Sequence, residues 1–449
     1  MTLKRKLGLP VVLAVVMGDM IGSGIFFTPG ELAAVATSEW QVYFFWALCG
    51  FITFCGAITL GEISSLLPRA GVIYHALTEA YGPFAGFMQA WVMVLVSGPG
   101  AIAGVAILFG ELVNNAFGSQ SGNAQLAWAT AAILFFAAIN LRGAEWGGRT
   151  QIVLTAVKII GLLALVGGGI LLATPANTES LPLNGDGQGL IGFVRFVGLG
   201  IAIVLFTYDG WIDASHVAGE VRNPNRNFPI AMGVGVACIT LIYLLVNYAF
   251  LRVLPLQQMQ ADPTQVASRV AEAAFGSIGG VALNVLIWIS IFGALGGLVM
   301  TLPRLFFAAA SEYRDRAIGT LASPFFRALS WLAPKTGVPA GAILFGAAMA
   351  IFALLFFGSF SRIVTFFVVP FQFMNILMVA SIFRLRARYS TEGSFRLPGY
   401  PVVPCIFIAV MTLFLIAAFY YNPLDSLIGI VLTLAGIPVY MALRGRPAA

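Results

Sequence analysis

Charge is scarce in this chain of 449 residues. Asp, Glu, Lys and Arg together make up 9%, where a soluble chain carries about 25%. Hydrophobic residues reach 59% and the mean hydropathy is +0.94. So little charge cannot solvate three soluble domains, the number that a length prior of roughly 150 residues per domain suggests. It also excludes nucleic acid as a partner, although the net charge is +6. There are only two histidines and four cysteines. Cys49, Cys55, Cys238 and Cys405 fall in apolar stretches without paired or metal-like spacing, so neither a disulfide framework nor a metal site is implied. H-E-x-x-H, G-x-S-x-G and a cysteine–histidine grouping are all missing, which leaves an intramembrane enzyme without a nucleophile, base or cofactor. An all-α polytopic membrane protein in the lipid bilayer is what remains. Its 50 Gly and 22 Pro suit packed lipid-embedded helices, where small residues let backbones approach.

Lys4, Arg5 and Lys6 precede an apolar run reaching Ala34-Val35-Ala36, the outline of a secretory signal. Asp19, Gly22, Gly24 and Pro29 interrupt that run, and it is about twice the usual length, so it reads as a retained first span. Stretches of roughly 20 apolar residues, enough to cross about 30 Å of hydrocarbon, mark about twelve spans. The first five fall within 9–172, the next five within 190–385 and the last two within 402–443, all in one transmembrane domain. Cations crowd one set of short loops, among them Arg69, Arg142, Arg149, Arg222, Arg226 and Arg304. The opposite set holds Arg252, Arg269 and Arg362. By the positive-inside rule both termini are cytoplasmic. The longer connections, Thr174 to Gly189, Leu254 to Ser277 and Ser311 to Val338, have room for short surface helices.

Two spans carry interruptions at mid-depth. The first reads Gly18-Asp19-Met20-Ile21-Gly22-Ser23-Gly24-Ile25, and the sixth reads Phe206-Thr207-Tyr208-Asp209-Gly210-Trp211. Taken alone, the glycines of the first fit tight helix packing. Matched breaks five spans apart point instead to a five-plus-five inverted repeat with a binding site at the midplane. An unwound helix offers free N–H groups on one half and carbonyls on the other. Ser23 to Ile25 can hold a carboxylate through their N–H groups, as helix N-termini hold anions. The carbonyls of Met20, Phe206 and Asp209 can hold an ammonium. Ile21, Gly22, Thr207 and Gly210 complete the two unwound segments. A ligand with both groups on one carbon is an α-amino acid. Asp19 and Asp209 either attract a cationic substrate or, the favoured reading, accept backbone N–H bonds in the unwound chain. Phe206 and Trp211 are candidate aromatic gates. The third span, through Ser97-Gly98-Pro99-Gly100-Ala101, leaves room for a side chain of neutral character. Glu62, Glu220 and Arg304 lie near span ends, where loop or gate ion pairs are expected, and His75 and His216 are expected to be packing histidines.

Four motifs in order carry a family resemblance: Ile21-Gly-Ser-Gly-Ile-Phe26 with Pro29; Gly61-Glu62 followed by Leu67-Pro68-Arg69-Ala70-Gly71; Phe206-Thr-Tyr-Asp-Gly-Trp211 continuing through Gly219-Glu220-Val221-Arg222-Asn223-Pro224; and Phe395-Arg396-Leu397-Pro398-Gly399-Tyr400-Pro401. Together they resemble the amino acid-polyamine-organocation superfamily, and within it the L-type amino acid transporter branch with its bacterial permeases. The resemblance implies a leucine-transporter fold of twelve helices with discontinuous first and sixth helices. It also implies alternating access and an L-amino acid substrate whose carboxylate is bound by Ser23 and Gly24. It suggests a bacterial inner membrane. The family's double glycine is absent, since Val72 follows Gly71.

Lys158 lies about 8 residues, or roughly 12 Å, into the fifth span. It either snorkels to the interface or, as the resemblance implies, places its ammonium where sodium-coupled relatives hold sodium, against carbonyls near Gly18 and with Ser290. The second reading predicts sodium-independent exchange. Proton-coupled symport, a polyamine carrier and a non-transporting receptor are the alternatives. Mammalian light chains of the branch join a heavy chain through a cysteine between the third and fourth spans. Gly118 to Gln125 holds none, so no disulfide-linked partner is expected; the sequence does not indicate an oligomeric state.

Overall fold

Pro10 in the first turn, where its missing N–H costs nothing, starts α1 (Leu9–Met20). Ile21 then turns out of the helical region, with ψ 86°, and α2 (Gly24–Val35) resumes three residues later. The computed structural model describes residues 3–119, 121–175, 189–316, 323–357, 368–389, 393–421 and 423–444. Arg362, the start of the tenth predicted span and most of the Thr174 to Gly189 connection lie outside them.

Among the described residues the chain is helical, and its one β-bridge joins Leu7 to Val221. Next come α3 (Glu39–Leu66) and α4 (Val72–Tyr81), the latter entered through Gly71 at φ 67°, and then α5 (Pro83–Trp91). A π-helical stretch at Val92–Ser97 leads into α6 (Gly98–Ala116). There the Gly98 N–H reaches back five residues to the Met93 carbonyl. Pro99 has no N–H to continue an α-helical ladder, and the π register absorbs the mismatch. α7 (Gly122–Arg142) is capped by the Ser121 hydroxyl and is followed by α8 (Ala144–Leu171). The sixth span is cut short, with α9 (Gly189–Thr207) separated from a 3₁₀ helix, Asp213–Glu220, by the second break. α10 (Pro224–Val253) starts at Asn223, which takes φ 47°, and Pro224.

Short helices fill two of the three long connections. α11 (Leu256–Ala261) and α12 (Val266–Phe275) precede α13 (Ser277–Arg316), and α14 (Ser323–Leu329) precedes α15 (Ala340–Phe357). The remaining helices are α16 (Val368–Arg388), α17 (Val402–Tyr421), α18 (Pro423–Leu434) and α19 (Gly436–Arg444).

Nine helical runs among the described residues are long and apolar enough to cross a membrane. Val197–Thr207 and Ala340–Phe356 are shorter apolar helical stretches. α1 sits at the centre, packed by α8, α10 and α13, with α10 lying along α3 and α2 against α9. Burial is inverted relative to a soluble protein. Lys158, Glu62 and Arg304 are fully buried, while Leu171, Tyr420 and Phe356 are among many large apolar side chains left exposed. An apolar exterior of that extent fits lipid rather than water.

Candidate functional site

The first break leaves backbone groups without chain partners. Gly22 donates to the Met20 carbonyl and Phe26 to that of Ser23, each at 3.0 Å. The N–H groups of Ser23, Gly24 and Ile25 reach no acceptor among the described residues. On the other side of the break, Lys158 Nζ of α8 donates to the Gly18 and Ile21 carbonyls, at 2.7 Å each. The ammonium thus satisfies two carbonyls at the C-terminal end of α1, where the helix dipole favours positive charge. Ser290 does not join it: its buried Oγ has no hydrogen-bond partner among the described residues. The residue of α13 that accommodates Lys158 is Gly293, where a Cβ would stand 2.6 Å from Lys158 Cε. Asp19 accepts a side-chain bond from Gln151, 2.9 Å, rather than the backbone N–H that its setting in unwound chain suggests. It fits because Gly297 has no side chain there.

The second break is docked onto the first. Gly210 has φ +103°, and a Cβ on it would lie 2.7 Å from the Asp19 carbonyl carbon and oxygen, so both its conformation and its neighbour require glycine. A Cβ on Gly24 would stand 2.7 Å from Thr207 Oγ1, and the Thr28 and Thr207 hydroxyls share a 2.7 Å hydrogen bond. Tyr243 of α10 donates its hydroxyl to the Met20 carbonyl at 2.7 Å and lies 3.5 Å from that of Thr207. Asp209 accepts the Gly210 N–H at 3.0 Å.

Between the breaks, α6 and α13 lies a cavity of about 170 Å³. Of the predicted residues, Met20, Gly22, Ser23, Gly24, Phe206, Thr207, Asp209 and Gly210 line it, as do Ser97, Gly98, Gly100 and Ala101 of the third span. Ile21 and Ile25 do not, their side chains being wholly buried in the core. Trp211 is not brought to the cavity either. Its ring packs edge-on against Phe407 of α17, 6.0 Å between centroids. The Met20 carbonyl, proposed for an ammonium, already accepts from Tyr243 and Gly22, which occupies both lone pairs. The Phe206 carbonyl accepts from Asp209 N at 3.2 Å, whereas no donor among the described residues reaches that of Asp209.

Sequence reasoning missed Tyr243, the wall formed by Ile291, Ala294, Leu298 and Leu302, and Asp213, all but Tyr243 lining the cavity. The wall residues are ordinary apolar positions of α13 with nothing in their pattern to mark them. Asp213 was detectable as a further acid in an apolar span. Two ion pairs frame the site at a distance. Arg304 Nε donates to Glu220 at 2.8 Å. Arg386 grips Glu62 with two bonds of 2.7 Å, and Leu397 N–H supplies a third. His216 makes no ring hydrogen bond among the described residues and stands 4.0 Å from Asp213.

Residues 7–443 match the family model described as amino acid permease. Among curated proteins, the serine/threonine exchanger SteT of Bacillus subtilis (strain 168) is 32% identical, covering 99% of this chain and 98% of its own length. The b(0,+)-type amino acid transporter 1 of Mus musculus is 27% identical, covering 93% of this chain and 83% of its own length. The cystine/glutamate transporter of Homo sapiens is 26% identical, over 98% and 85%. The match spans both helix breaks and nearly the whole chain, and the chain therefore belongs to the amino acid permease family of the amino acid-polyamine-organocation superfamily, as an integral multi-pass membrane protein.

Proposed function

We propose that this protein is a secondary transporter that exchanges small neutral L-amino acids, without sodium, by alternating access. The observation that carries the reading is the pairing of the N–H groups of Ser23 and Gly24 with the Asp209 carbonyl, none of them engaged among the described residues, across one small cavity. Those N–H groups take the carboxylate and that carbonyl takes the ammonium. Size favours a short side chain. An engineered apolar cavity of about 150 Å³ holds benzene, and 170 Å³ is suited to an amino acid only slightly larger. The Lys158 ammonium, on the Gly18 and Ile21 carbonyls, takes the place of a bound cation, which is why sodium is not required.

In this reading the chain crosses the bilayer about twelve times, with two inverted repeats of five helices and two further helices. Both termini face the cytoplasm of a bacterial cell, and no disulfide-linked heavy chain is involved. The name of the Bacillus subtilis relative agrees with exchange of small amino acids.

The test is uptake of labelled amino acids into proteoliposomes, empty or preloaded, with and without sodium and pH gradients. Uptake that requires preloading and ignores sodium is expected. Uptake into empty vesicles driven by an inward proton gradient would make the protein a symporter. Ser23→Leu, which places a bulky side chain at the break, is expected to abolish binding; normal binding by that variant would remove the site from the first break.

A further inference from the structure

Asp213 is an acid that the backbone-recognition scheme does not use. It opens the 3₁₀ helix after the second break, four residues beyond Asp209. Only 6% of its surface is accessible, yet it lines the cavity. No donor among the described residues is hydrogen-bonded to its carboxylate; His216 Nε2 stands 4.0 Å away, outside hydrogen-bonding range. A buried carboxylate without a partner is costly, and an ionisable group inside a membrane protein is retained for function by default.

Its surroundings narrow the role. Met93, Val105, Ile291, Ala294, Leu298 and Leu302 supply apolar lining, while the main-chain groups that would hold the α-carboxylate and α-ammonium belong to the two breaks. No cationic side chain among the described residues lines the cavity; the nearby Lys158 is turned to the Gly18 and Ile21 carbonyls. Asp19 has Gln151 on Oδ1, its Oδ2 being without a partner among the described residues, and Asp209 has the Gly210 N–H, so Asp213 is the cavity acid with no side-chain hydrogen bond at either oxygen among the described residues.

We infer that Asp213 is a specificity-determining residue that accepts a hydrogen bond from a donor group on a short substrate side chain, a hydroxyl or an amine. The inference rests on the transport reading above and narrows it to donor-bearing side chains: a hydroxyl keeps the substrate neutral, whereas an amine would replace the neutral class by a cationic one. A site that leaves a buried acceptor unpaired rejects the isostere lacking the donor far more strongly than an apolar pocket rejects an added hydroxyl, for which discrimination is only about 100-fold.

Threonine and valine are the diagnostic pair, being nearly equal in shape. Purified full-length protein in preloaded proteoliposomes would be assayed with threonine, valine, alanine and 2,4-diaminobutyrate. The wild-type chain is expected to prefer a donor-bearing substrate, threonine or 2,4-diaminobutyrate, to valine by more than about 100-fold in kcat/KM. Asp213→Leu is expected to collapse that preference to within a few-fold, read as the ratio of threonine to valine kcat/KM in the same vesicles. Asp213→Asn separates the sources: a neutral acceptor preserves threonine for a hydroxyl site and loses 2,4-diaminobutyrate for an amine site. Thermal melting in detergent identifies variants that fail to fold, and if Asp213→Leu fails, Asp213→Asn and Asp213→Ser carry the test. Equal handling of valine and both donor-bearing substrates by the wild type, or an unchanged preference in a folded variant, overturns the assignment. Failure of the wild-type chain to exchange any amino acid overturns instead the transport reading on which it rests.

Discussion

Lys158 illustrates what a single side chain can do when its solvent is protein. Its ammonium has lost water entirely and receives two main-chain carbonyls in return, both left open by the end of α1. A lysine in an apolar run is plain in the sequence, whereas the carbonyl of Gly18 as its target came from the family resemblance and not from the residues alone. Gly293 was not legible, since a glycine among the many of α13 shows its purpose only when the helix is packed. Lys158→Ala is expected to remove transport while the fold persists. The Gly18 and Ile21 carbonyls lose their donor and the charge that organises the break is gone, whereas α1 keeps its packing against α8, α10 and α13. Circular dichroism and gel filtration of the purified variant, read beside proteoliposome exchange, check both halves; full exchange activity in the variant would show the ammonium to be dispensable.

At the scale of helices, the breaks behave as one composite element. Gly210 over Asp19, Gly24 against Thr207 and Tyr243 on the Met20 carbonyl hold the two unwound segments together. That both spans break was readable, because glycine, aspartate and serine at mid-depth are poor continuations of a membrane helix. That Tyr243 engages one of the exposed carbonyls was not, because a tyrosine in an apolar span has no period or spacing that fixes where its hydroxyl points. The π-helical entry to α6 was likewise hidden, its cause being the conjunction of Pro99 with the packing of Val92–Ser97. Two substitutions separate the contributions. Tyr243→Phe removes one hydrogen bond and leaves the Met20 carbonyl its bond from Gly22, so a stability loss of about 0.5–1.5 kcal/mol is expected, with weaker substrate binding. Gly210→Ala strains a positive φ and drives a Cβ into the Asp19 backbone, so it is expected to disable binding even where the chain still folds. Ligand-induced shifts of the melting temperature measure the two effects side by side. A Gly210→Ala protein with wild-type binding would show that the breaks need not touch.

For the molecule as a whole, the sequence conveyed the class of fold through composition and run length, whereas pairing between distant segments had to be seen. Glu62 was recognisable as a charge near the end of a span, but its partner lies 324 residues away. Helix periodicity cannot choose Arg386 among the arginines of α16. The carboxylate is fully buried, while the guanidinium side chain is 21% exposed and stacks on the Tyr400 ring at 3.8 Å. Removing Arg386 therefore leaves a buried charge with a single donor, Leu397 N–H, whereas removing the charge of Glu62 leaves an arginine that can turn to water. The costs should be unequal. Arg386→Ala is expected to destabilise by about 1–3 kcal/mol, the range for stranding a buried acceptor, and Glu62→Gln by less. If the pair acts as a unit, adding Glu62→Gln to Arg386→Ala should restore part of the loss, because the stranded charge is then absent. Thermal unfolding of the four proteins in one detergent closes the cycle. Additive losses would mean that α3 and α16 are held together by their apolar packing, with the ion pair contributing only locally.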